Sequence, residues 1–160
     1  MEPDLHFELL GLRMKDSVSG LTGIVCSITR RFSGTIQYGL QPEGDGKTFP
    51  DSWNLDFDIL DKVDEGVRSR IKSEFPTTSA FSIGSEVEDT LSGFKGKVQD
   101  ITYHLNGCVT CSVTGKSMSP DKDVFTLYAD QSRFKLLAPA VTEPAAPTKR
   151  GGPSVRAMRY

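Results

Sequence analysis

The chain has little of what a membrane protein, a disulfide scaffold or a helical bundle needs. No run of about 18 apolar residues occurs, so no membrane-spanning helix is expected. Cysteines number only three, an odd count that argues against a disulfide framework and for a reducing compartment. Neither charge sign dominates. Lys and Arg total 19 against 21 Asp and Glu, a net charge of −2. That excludes a globally basic nucleic-acid binder and leaves room for a local basic patch. The opening Met1-Glu2-Pro3-Asp4 is acidic and lacks the basic and apolar regions of a signal peptide. What is present instead is 15 glycines and 9 prolines, which favour a chain of many turns over packed helices.

The chain repeats itself. Residues 11–40 align without gaps on residues 84–113, an offset of 84 − 11 = 73. Nine positions are identical: Gly11/Gly84, Asp16/Asp89, Ser19/Ser92, Gly20/Gly93, Gly23/Gly96, Val25/Val98, Ile28/Ile101, Thr29/Thr102 and Gly34/Gly107. Met14/Val87, Val18/Leu91, Leu21/Phe94, Ile36/Val109 and Leu40/Val113 keep apolar character and are expected in the core. Glycines and apolar positions encode backbone shape, so their coincidence points to two copies of one small unit.

Each copy reads as β. A short strand over 13–18 or 86–91 leads into Ser19-Gly20-Leu21-Thr22-Gly23 or Ser92-Gly93-Phe94-Lys95-Gly96. Two glycines three apart predict a tight turn with positive φ. Asp16 and Asp89 stand just before it, where a short carboxylate accepts from the turn's own amides. Strand two, over 24–30 and 97–103, places its apolar Val25 and Ile28 three apart, which predicts a bulge. Turns at Gly34 and at Asn106-Gly107 follow, then a cleanly alternating third strand. Polar loops and apolar closing segments complete each copy, and Trp53 is expected to close the first core. Four or five short strands in about 55 residues is the size of an SH3-like barrel.

The linker and the ends differ in kind. Val67, Ile71 and Phe75 share one helical face, which predicts a short amphipathic helix over 64–80. Leu5 to Leu9 alternates like an edge strand. Residues 138–160 carry four prolines and the cations Lys149, Arg150, Arg156 and Arg159 against Glu143. The arm is therefore +3 and the body −5, and the arm, ending in Tyr160, is expected to contact a partner. The expected organisation is a first SH3-like barrel over 1–63, a helical linker over 64–80, a second barrel over 81–137 and an extended Pro-rich tail over 138–160.

Nothing in the residue pattern names a reaction. Cys108-Val109-Thr110-Cys111 lies in a predicted strand, where positions three apart face opposite sides, so neither redox nor zinc chemistry is expected. Cys111 is expected in the core and Cys108 on the surface. His6 and His104 have no nucleophile or carboxylate at a catalytic spacing. Gly44-Asp45-Gly46-Lys47 lacks the span of a phosphate loop. Arg30-Arg31-Phe32 and Tyr103-His104-Leu105 could stack a base or contact phosphate.

The pattern built on Asp89, Ser92, Gly93, Phe94, Gly96, Val98, Leu105, Asn106, Gly107 and Cys108 resembles small tailed-bacteriophage proteins with tandem SH3/KOW-like repeats. Copy one carries Asp16, Ser19, Gly20, Leu21, Gly23, Val25 and Gly34, but has Thr35 where copy two has Cys108. The resemblance covers about 110 residues and excludes the tail. It implies a mostly β protein without cofactor, metal or enzymatic activity. It implies a virion component of the head decoration or cement type, assembled in the host cytoplasm and bound to other virion subunits. The alternatives are a KOW-like module on nucleic acid or transcription machinery, and an anti-defence inhibitor or small-molecule sponge.

Overall fold

The computed structural model describes residues 4–71 and 78–141. They form a mostly β protein of ten antiparallel strands, with no α-helix among the described residues. The first repeat contributes β1 (Arg13–Asp16), β2 (Thr22–Arg31), β3 (Ile36–Pro42), β4 (Trp53–Leu55) and β5 (Leu60–Asp64). The second contributes β6 (Glu86–Asp89), β7 (Lys95–His104), β8 (Val109–Lys116), β9 (Val124–Asp130) and β10 (Phe134–Ala138). Both repeats pair their strands in the same order, β5-β1-β2-β3-β4 and β10-β6-β7-β8-β9. A single 3-10 turn precedes the fifth strand in each, at Phe57–Ile59 and Gln131–Arg133.

The spacing of Val25 and Ile28 resolves as a bulge. Pairing with β3 slips between Val25 and Ser27, so both apolar side chains reach the core and are fully buried. The second repeat slips at the same place, between Val98 and Asp100. Each repeat then has its own core. Tyr38, Leu10, Ile28, Leu40 and Val25 anchor the first, and Val87, Val98, Val113, Ile101 and Cys111 the second. Burial of each such side chain stabilises by about 1.5–3 kcal/mol before chain entropy is counted.

The bulge also lets one long strand serve two partners. The first half of β2 pairs with β1, and its second half, from Ser27 to Arg31, pairs with β7. β7 does the same with β6 and β2. At the centre Thr29 faces Thr102, the residue 102 − 29 = 73 positions later, and their hydroxyls bond at 2.9 Å. Every pairing therefore has a counterpart: Ser27 with His104 mirrors Arg31 with Asp100, whose side chains lie 3.5 Å apart. This is the geometry of a two-fold interface made within one chain.

Several sequence expectations are corrected. The N-terminal segment is a 3-10 turn, Phe7–Leu9, not an edge strand, because both edges of β1 are already taken by β2 and β5. Leu5 and Phe7 pack against both cores instead, and Phe7 meets Tyr103 edge-on at 5.0 Å. The helix expected over 64–80 is absent as far as residue 71. Asp64 ends β5 and caps Gly66, which is left-handed, and only a 3-10 turn follows at Arg68–Arg70. Residues 72–77, with Phe75, lie outside the described residues. Trp53 is 56% exposed, since three-residue β4 sets it at the margin of the core opposite Leu40, which is already fully covered. Val18 and Leu91 are also exposed, because β1 and β6 stop two residues earlier than expected.

Candidate interaction surfaces

The repeated turns are built alike. The Asp16 carboxylate accepts from the Val18 amide at 2.9 Å and from the Ser19 hydroxyl. The Asp89 carboxylate accepts from the Ser92 amide at 3.1 Å and the Ser92 hydroxyl at 2.5 Å. Gly20 and Gly93 adopt φ of +78° and +77°, a region a Cβ disfavours. Gly34 and Gly107 do the same at the hairpin tips. Gly23 and Gly96 differ from the expectation of positive φ. They are needed for close approach: a Cβ would stand 2.5 Å from the Gln41 carbonyl oxygen and 2.5 Å from that of Thr114.

One element of the second turn has no counterpart in the first. Arg133 donates to both Asp89 oxygens, at 3.0 and 2.7 Å. This bidentate pair, helped by the Ser92 hydroxyl, holds the Asp89 carboxyl well below the usual carboxylate range. The Ser17 amide bonds the Ile59 carbonyl as the Thr90 amide bonds that of Arg133, so Ile59 stands where Arg133 does. Asp16 is lowered as well, chiefly by Ser19.

The outer edges β9 and β4 hold part of the exposed apolar surface. β9 pairs only with β8 among the described residues, leaving a seven-residue edge open. Val124, Phe125 and Tyr128 on it are all exposed. Beside this edge lies a hollow of about 340 Å³ lined by Phe94, Met118, Phe125, Leu127 and Arg133, with Phe94 and Phe125 edge-on at 5.4 Å. At the opposite end, β4 carries half-exposed Trp53, with exposed Phe49 nearby and Phe57 stacked on His6 at 4.1 Å. Isolated exposed apolar residues are ordinary; groups along open strand edges mark contact sites.

The chemistry-bearing side chains do not converge. Cys111 is buried, which pushes its thiol up to about 11, while Cys108 is exposed. His104 bonds the Thr110 hydroxyl at 2.9 Å, and burial lowers its pKa against the pull of Asp130. Among the described residues no three His, Cys, Asp or Glu side chains gather as a metal site. The expected partner arm, Lys149, Arg150, Arg156, Arg159 and Tyr160, lies outside the described residues. Among the described residues no helix is long and apolar enough to cross a membrane.

Sequence reasoning missed Arg133 and the β9 edge. Arg133 lies 44 residues from Asp89, with no local signal joining them. The apolar closing segment from Val124 to Tyr128 was visible, but nothing in it says which edge stays open. Comparison with protein-family models, with curated proteins and with solved structures finds no match to this chain.

Proposed function

We propose that this chain is a non-enzymatic virion component of a tailed phage, made of two SH3-like units, that holds an extended segment of a neighbouring subunit along β9. The strand order of each repeat, with a 3-10 turn before the fifth strand, supports the SH3-like reading. The resemblance carried by the Asp89-to-Cys108 motif supports the phage reading. The observation that carries the binding reading is the open β9 edge beside the apolar hollow. An added strand would satisfy the free backbone groups of β9, and one apolar side chain would fill the hollow.

The test is mass spectrometry of purified particles. The proposal expects the chain there in high copy number, and expects Phe125→Asp to reduce its incorporation while the β circular-dichroism spectrum is kept. Absence from particles, or full incorporation of the variant, would contradict it. The arm belongs to the same proposal: removing residues 142–160 is expected to weaken particle binding.

A further inference from the structure

The second repeat bears a basic groove that the first does not. Lys95, Lys97 and Lys116 line a depression of about 390 Å³ on either side of Gly96 and Gly115. Lys97 pairs with Thr114, and the same register carried two places further sets Lys95 across from Lys116. Like charges facing each other across strands are destabilising. Among the described residues the carboxylate lining the groove is Glu86, 3.8 Å from Lys97, while Glu88, across from Lys95 on β6, is engaged by Lys135 at 3.3 Å. The groove thus keeps a net charge of +2 on a body of 15 cations and 20 carboxylates, counted over residues 1–137. At the equivalent positions the first repeat has Thr22, Ile24 and Glu43. Such a cluster is costly for the fold alone and suits an anion with more than one charge.

We propose that this groove binds the phosphate backbone of a single-stranded nucleic acid. Two features favour that over an acidic peptide. Lysines at successive outward positions of a strand are spaced to follow a chain of phosphates. Tyr128 stands on the same sheet face: it pairs with Ser112, two places from the Thr126–Thr114 pair, and is 75% exposed. An exposed ring beside a basic track stacks a base without regard to sequence. The hollow beside β9 takes no part and the three lysines lie on β7 and β8, so the salt-dependence test is separate from the virion reading.

The test is fluorescence anisotropy of a short labelled oligothymidylate titrated with the full chain at several salt concentrations. Three lysine contacts predict a slope of about −2 in log K against log salt. Lys95→Gln with Lys116→Gln is expected to flatten that slope by about 1.4 and to weaken low-salt binding by about tenfold or more. The same double variant is expected to melt no lower than the parent, because a repulsive pair has gone. Tyr128→Ala is expected to weaken binding while leaving the slope in place, and Lys15→Gln, on β1, to change neither. Three results would overturn the proposal: no binding by the intact chain at low salt, an unchanged slope in the double variant, or displacement of the oligonucleotide by polyglutamate as effectively as by unlabelled oligothymidylate.

Discussion

The two repeats share a backbone and differ in what they attach to it. Both carry the Asp–Ser–Gly turn, the bulged second strand and the close-approach glycine. The second adds Arg133 to its aspartate, where the first has Ile59. Its groove has three lysines where the first has Thr22, Ile24 and Glu43. The hairpin tips diverge too. Leu105 packs against the first repeat's core, its amide bonding the Cys26 carbonyl at 2.8 Å. Its counterpart Phe32 is 64% exposed and overhangs a hollow of about 500 Å³ lined in part by Ile83, Gly84 and Gln99. Positions that set backbone shape are held in common, and positions that set surface chemistry have separated. That is the pattern expected when one fold serves two different contacts.

The comparison breaks most readily at the shared glycines. Gly96→Ala drives a Cβ into the Thr114 backbone, and Gly23→Ala does the same at Gln41. Each is expected to cost about 3 kcal/mol in urea unfolding, since backbone on both sides must move. Unequal costs would show that the two close approaches are not the same feature.

The aspartates sharpen the contrast. Asp89 is held below its unfolded pKa by Arg133, so its contribution is present above about pH 4 and lost as pH falls through the folded value. Arg133→Gln raises that folded value. It is expected to lower the urea midpoint at neutral pH and to flatten the loss of stability below pH 4. Ile59→Arg would offer Asp16 the missing cation and is expected to steepen the same acid limb. If neither variant alters the limb, the pairing at Asp89 does not govern it.

How much of this was legible beforehand follows from where each signal resides. The repeat shows as identity at a fixed offset, and the aspartate turns, the bulges and the hairpin tips rest on residues close in sequence, so all were readable. The β2–β7 junction was not, because it joins Thr29 to Thr102 through outward polar side chains that carry no hydrophobic pattern. Apolar character predicts burial for Val18 and Leu91, but both sit past the ends of their strands and are exposed. Trp53 is apolar too, but three-residue β4 leaves it at the margin of the core. The lysine groove depends on register, which brings Lys116 beside residues some 20 positions earlier. The aspartate–arginine pair and the N-terminal bridge between cores are likewise long-range.

Smaller effects separate the repeats further. Leu105→Ala removes a contact with the opposite core and is expected to cost about 1.5 kcal/mol. Gly20→Ala and Gly93→Ala meet open space, so only the positive φ is penalised, at about 1 kcal/mol each. Phe32→Ala is expected to cost under about 0.5 kcal/mol, and a cost equal to that of Leu105→Ala would erase the contrast between the tips.

The central claim is that the two repeats form one sheet about the Thr29–Thr102 pair. The most direct measurement is disulfide mapping of the full chain carrying Thr29→Cys and Thr102→Cys together, after mild oxidation and peptide digestion. The account predicts an intramolecular link between positions 29 and 102 in the monomer. Thiols at both positions that stay free while the chain is folded would contradict it.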